Sequence, residues 1–129
     1  MFTPLDVFSG FSVNDIPDAK AFYGDTLGLQ VSDGAMGNLD LVLPTGSHVF
    51  IYPKPDHEPA TFTILNLVVD DIDAAVDDLN ARGVDTRIYD SPDFPSDAKG
   101  IARGKAAGQG PDIAWFRDPA GNVLSVLQN

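Results

Sequence analysis

Apolar and polar positions along this chain follow two periods, and both halves use them in the same order. Over residues 6–13 the pattern alternates around Val7, Ser9, Phe11 and Val13, as in a strand with one covered face. Residues 61–69 are more continuously apolar, as in a strand covered on both faces. Each run leads to an aspartate, Asp15 or Asp71, suited to accept hydrogen bonds from the free N–H groups of a helix start. Pro17 fits the first helical turn, where its missing N–H does no harm. Ile16, Ala19, Phe22, Tyr23 and Leu27 then form one stripe, and Ile72, Ala75, Val76 and Leu79 form another. Their three-to-four spacing predicts two helices with one buried face each. Gly28 and Gly83 follow the stripes, where a left-handed helix cap is expected.

Short strand-like pieces come next. In the first half they are Leu29–Ser32, Leu39–Leu43 and His48–Tyr52; in the second, Val84–Tyr89, Ile113–Phe116 and Val123–Leu127. The sequence DPAGN between the last two suits a hairpin turn. The predicted order is β-α-β-β-β twice, an α+β fold built from tandem modules of about residues 5–56 and 60–129 in one domain, 1–129. Two such units side by side would give a curved mixed sheet, a cup with helices on its outer face. Sliding residues 64–84 onto 8–28 supports the duplication. Val13, Asp15, Ile16 and Ala19 fall on Val69, Asp71, Ile72 and Ala75.

Charge and composition narrow the partners. Nineteen acidic against eight basic side chains give a net charge of −11, which repels phosphate backbones and argues against nucleic acid. The absence of cysteine excludes disulfides, thiolate metal sites and a cysteine nucleophile. No run approaches the roughly 18 apolar residues needed to span a bilayer, and residues 1–10 do not resemble a secretory signal. A cytoplasmic protein without a membrane partner is expected.

Three stretches together resemble the vicinal oxygen chelate (glyoxalase/bleomycin resistance protein/dioxygenase) superfamily: FSVNDIPDAKAFYGDTLGL at 11–29, LVVDDIDAAVDDLNARGV at 67–84 and IAWFRDPAGNVLSVLQ at 113–128. The last is the most specific, carrying the aromatic-x-D-P-x-G-N-x-apolar pattern of that superfamily's closing hairpin. The resemblance implies a divalent metal that binds two neighbouring substrate oxygens. Its ligands would come from the first and last strands of each module. Carried over position by position, they fall on Phe8, Ile64, Ser125 and one of Phe50, Ile51 or Tyr52. None of these is a good ligand for a divalent ion. The expectation is therefore no metal, no cofactor and an apolar cup floor. The resemblance also admits a homodimer, since members often pair to complete or flank their cups.

Other candidates are weighed on their own chemistry. His48 lies near one ligand strand without converging carboxylates, and His57 is expected to be exposed in the proline-rich linker. Asp70, Asp71, Asp73, Asp77 and Asp78 read as the solvated face of a helix start. Either Trp115 or Phe116 should face the cup, with parity open. Residues 90–112 read as a long loop in which Lys99, Arg103 and Lys105 could offer positive charge to an anionic ligand group. Ser9, Ser12 and Ser125 show no histidine–acid partnership. The function expected is binding of a small apolar or aromatic molecule without metal. Phe8, Phe50, Tyr52, Ile64, Asn66, Trp115 and Ser125 form the expected walls. The alternative is a metal-dependent lyase, isomerase or dioxygenase of the same superfamily.

Overall fold

The structure is a computed structural model that describes residues 1–89, 92 and 95–129. It is α+β, with two compact units, Met1–Glu58 and Pro59–Asn129. Each unit has the order β-α-β-β-β.

In the first unit, β1 (Ser9–Val13) leads to α1 (Ile16–Lys20), which continues as a π-helical turn over Ala21–Thr26. β2 (Gln30–Asp33), β3 (Leu39–Val42) and β4 (His48–Pro53) follow. The sheet order is β1-β4-β3-β2, with β1 and β4 parallel and the other pairs antiparallel. Asp15 caps α1 by accepting from the Asp18 N–H at 2.8 Å, and Pro17 sits in the first turn, as the sequence predicts. The π turn lets the helix end with Leu27 N–H donating to the Phe22 carbonyl at 2.8 Å. Gly28 then takes the left-handed conformation, with φ 71°. One sheet face carries Phe11, Val13, Leu39, Leu41, Val49 and Ile51, all buried with Ala19, Phe22 and Tyr23 of the helical segment. Tyr23 is fully enclosed, its ring 5.7 Å from that of Phe11.

In the second unit, β5 (Thr63–Val68) leads to α2 (Ile72–Ala81), β6 (Ala102–Arg103), β7 (Asp112–Arg117) and β8 (Val123–Gln128). The order β5-β8-β7-β6, with β5 and β8 parallel, repeats that of the first unit. Asp71 caps α2 by accepting from the Ala74 N–H at 3.1 Å, and Gly83 ends it with φ 85°. Ala114, Phe116, Leu124 and Val126 alternate onto one buried face together with Ile72 and Val76 of α2.

One predicted strand needs correction. Val84–Tyr89 is not a strand; it makes one isolated bridge, Arg87 to Trp115. The local reason is that its groups are engaged elsewhere. The buried Thr86 Oγ1 donates to the Lys99 carbonyl at 2.7 Å, and the Arg87 N–H donates to Asp85 at 2.8 Å. The strand after α2 is instead the two-residue β6. Asp90, Ser91, Asp93 and Phe94 of the expected 90–112 loop lie outside the described residues.

The DPAGN turn is a polar clasp. Asp118 and Asn122 are buried, and Asp118 accepts from the Asn122 backbone N–H at 2.8 Å and its side-chain amide at 3.1 Å. Asn122 Oδ1 in turn accepts from the Ala60 N–H at 3.0 Å. This network satisfies polar groups that burial would otherwise penalise, which gives the motif a structural role.

Candidate ligand-binding site

Strand alternation leaves each sheet a second face, opposite the row packed against its helix. In the first unit that face carries Gly10 paired with Phe50, Ser12 paired with Tyr52, and Asp40 beside Phe50. Phe8, Phe50 and Tyr52 form an aromatic strip along it. The Phe8 and Phe50 ring centroids are 6.3 Å apart and tilted; those of Phe50 and Tyr52 are 5.8 Å apart and stacked. Phe8 is 64% exposed and Tyr52 37%. Gly10 adds no side chain beside Phe50, which keeps the strip unobstructed there.

A cleft of about 530 Å³ opens at one end of the strip. Phe8 and Phe50 supply its apolar wall; Asp6, Asp40, Ser47 and His48 supply polar groups. His48 Nδ1 lies 2.7 Å from Asp40 Oδ2. An ionised carboxylate only accepts, so this distance places the proton on Nδ1. The β3–β4 hairpin makes the pair: Val42 faces His48 and Asp40 faces Phe50, which sets His48 and Asp40 on one diagonal.

At the other end of the strip, Ser12 Oγ and His57 Nδ1 are 2.6 Å apart. His57 is half-buried rather than exposed, correcting the linker expectation. The chain folds back there because the Lys54 N–H donates to the Val13 carbonyl and the His57 N–H to the Lys54 carbonyl, both at 3.0 Å.

In the second unit the remaining expected walls divide. Trp115, Ser125 and Asn66 are cross-strand neighbours on one face. Phe116 takes the other face and is fully buried, as are Ile72 and Val76 of α2. The Trp115 Nε1–H donates to Thr63 Oγ1 at 3.2 Å, and its ring meets Tyr89 edge-on at 5.4 Å. Ser125 has no exposed surface, and its hydroxyl donates to Asn66 Oδ1 at 2.6 Å. The exposed group of that pair is Asn66. Ile64 falls in a register shift between Thr63 and Leu65, so it stands outside the β5–β8 ladder.

The donor set at the positions the superfamily pattern would use for a metal is phenyl, alkyl, phenol and a hydroxyl already bonded to an amide, which does not fit a divalent ion. Among the described residues, no group of three or more His, Cys, Asp or Glu is placed to hold one.

Two of the three loop cations, Lys99 and Arg103, are tied to aspartates. Arg103 binds Asp73 through two hydrogen bonds of 2.7 and 3.1 Å and reaches Asp97 at 3.0 Å; Lys99 binds Asp77 at 2.9 Å. The aspartates of α2 therefore anchor the 97–103 segment, correcting the expectation of free positive charge at Lys99 and Arg103. Hydrogen bonds from Arg103, opposed by burial and aided by the charges of Arg103 and Lys99, hold the Asp73 carboxyl below its ordinary 3.8. Burial pushes Asp97 up, but hydrogen bonds from the Ile101 and Lys99 backbone and from Arg103 outweigh it and hold that carboxyl below 3.8 as well. A depressed native pKa gives stability that is present above the unfolded value and is lost as pH falls through the native one. Asp73→Asn should thus lower the melting temperature at neutral pH. The gap from wild type should persist down to pH 3.8 and close only in stronger acid. Thermal scans across pH check this, and a gap that survives in strong acid would rule out the ionic anchor.

Comparison with known proteins follows the same lines. The sequence model of the Glyoxalase/Bleomycin resistance protein/Dioxygenase superfamily matches residues 6–126. Among solved structures, the chain is similar to TnmS3, an antibiotic binding protein from Streptomyces sp. CB03234, with 26% identity, 98% of each chain covered and a TM-score of 0.64. It also shares its fold with a superfamily member from Sphaerobacter thermophilus DSM 20745 (23% identity, 97% of this chain and 98% of that one, TM-score 0.67). A third is the fosfomycin resistance protein FosX from Listeria monocytogenes (12% identity, 100% and 95%, TM-score 0.68). No curated protein matches the chain. Among the described residues, no helix is long and apolar enough to cross a membrane.

Proposed function

This chain belongs to the Glyoxalase/Bleomycin resistance protein/Dioxygenase superfamily, and we propose that within it the protein binds a small aromatic molecule without the help of a metal. The observation that carries the reading is the strip of Phe8, Phe50 and Tyr52 beside a cleft of about 530 Å³. That volume lies in the range of small-molecule sites, whose usual composition is apolar wall with a few placed polar groups. Stacked and tilted rings offer faces and edges to a flat ligand. The antibiotic-binding neighbour supports a drug-like ligand. A cytoplasmic location, a second copy as partner and no nucleic acid belong to the same reading; the net charge of −11 supports the last.

The first unit is the better candidate because its aromatic groups are accessible, whereas Ser125 in the second is sealed. Calorimetric titration with β-naphthol tests the reading. Binding should be indifferent to chelators, and Phe50→Ala should weaken it by about tenfold or more, roughly 1.4 kcal/mol. Stoichiometric divalent metal in the purified protein, or binding that a chelator abolishes, would instead favour a metal-dependent lyase, isomerase or dioxygenase.

A further inference from the structure

Aromatic rings alone do not choose between flat ligands, and the cleft holds a group that can. His48 sits on its rim with Nδ1 committed to Asp40 at 2.7 Å. A neutral imidazole with its proton on Nδ1 has one lone pair left, on Nε2. The side chain is 54% exposed, so a ligand can reach that nitrogen. Phe8 and Phe50 line the same cleft, which puts the acceptor beside the surface on which a ring would lie. The two carboxylates of the cleft, Asp6 and Asp40, also only accept when ionised. The charged and acceptor side chains there therefore call for a donor from the ligand.

We infer that His48, held by Asp40, accepts a hydrogen bond through Nε2, and that the cleft selects aromatic molecules carrying a phenolic O–H or an equivalent N–H donor at the ring edge. This rests on the proposed aromatic-binding reading and adds the polar requirement to it. Asp40 is the positioning residue: it fixes the proton on Nδ1 and the ring's rotation, and so aims the lone pair. The same acceptor excludes ethers and bare hydrocarbons only by failing to reward them, so the preference is a ratio rather than an all-or-none gate.

The test compares β-naphthol with its methyl ether, which keeps the ring and removes the donor. Wild type should prefer the naphthol by about fivefold, the worth of one neutral hydrogen bond. His48→Phe should bring the ratio of affinities to about one, and Asp40→Ala should lower it. Melting temperatures of both variants verify that they fold, and both side chains lie toward the surface. In the wild-type protein, the Nε2 resonance of His48 should move when naphthol is added and stay still with the ether, a readout that a merely structural pair would not give. Equal wild-type affinities for the two probes, or a preference that survives His48→Phe, would overturn the inference while leaving the aromatic site standing. Failure of both probes to bind would overturn the site itself and the inference with it.

Discussion

Phe116→Ala should remove a large part of this protein's stability, whereas Trp115→Ala, one position earlier, should cost markedly less. Phe116 has no exposed surface and shares a buried face with Ala114, Leu124 and Val126 against Ile72 and Val76 of α2. Truncating a buried phenylalanine costs about 3–5 kcal/mol, combining lost burial with the cavity left behind. Whole domains are stable by only about 5–15 kcal/mol. Trp115 is half-buried, and its ties include a hydrogen bond to Thr63 and an edge contact with Tyr89. Urea unfolding of the two variants decides the matter. If Trp115→Ala proved the more damaging, the assignment of faces in the closing hairpin would be reversed.

Gly100→Ala is the second large effect. Gly100 has φ 87°, a left-handed conformation that costs a residue with a Cβ about 1–2 kcal/mol. A Cβ there would also overlap the carbonyl of Thr86 and press on Arg87 Cα, both backbone groups that cannot swing aside. Overpacking of this kind adds about 1–3 kcal/mol. The sum, about 2–5 kcal/mol, should appear in urea unfolding as a lower midpoint. Gly83→Ala is the internal control. Gly83 has φ 85°, but a Cβ there meets nothing within 4 Å, so only the conformational part should be lost. Equal losses at the two positions would show that the close approach at Gly100 contributes nothing.

The contrast between these glycines shows what the sequence could and could not reveal. Helix ends are local events. Asp15, Asp71, Gly28 and Gly83 declare them by residue type and offset, and the structure has caps and left-handed turns at those positions. The duplicated element order and the DPAGN hairpin were legible for the same reason. Strand identity after α2 was not, because it depends on partners far along the chain. Val84 and Ile88 have the spacing of a strand, yet Thr86 bonds to the Lys99 carbonyl, and the pairing with β7 goes to Ala102–Arg103. Nor did alternation foresee the register shift at Thr63–Leu65, which takes Ile64 out of the ladder.

For the candidate site, the aromatic strip could be read from strand period alone, since Phe50 and Tyr52 are two apart on one strand. The polar half could not. His48 and Asp40 meet only once the turn between β3 and β4 fixes the hairpin register, although the proline and glycine of Pro44–Ser47 hint at that turn. Ser12 and His57 are 45 positions apart and meet because the linker doubles back on β1.

The leading eight residues are all exposed, and their apolar members include the fully accessible Met1 and Leu5. Yet Asp6, Val7 and Phe8 wall the cleft. A chymotrypsin-like protease that clips after Phe8 would therefore shave away part of the recess and its outermost ring while sparing every buried side chain.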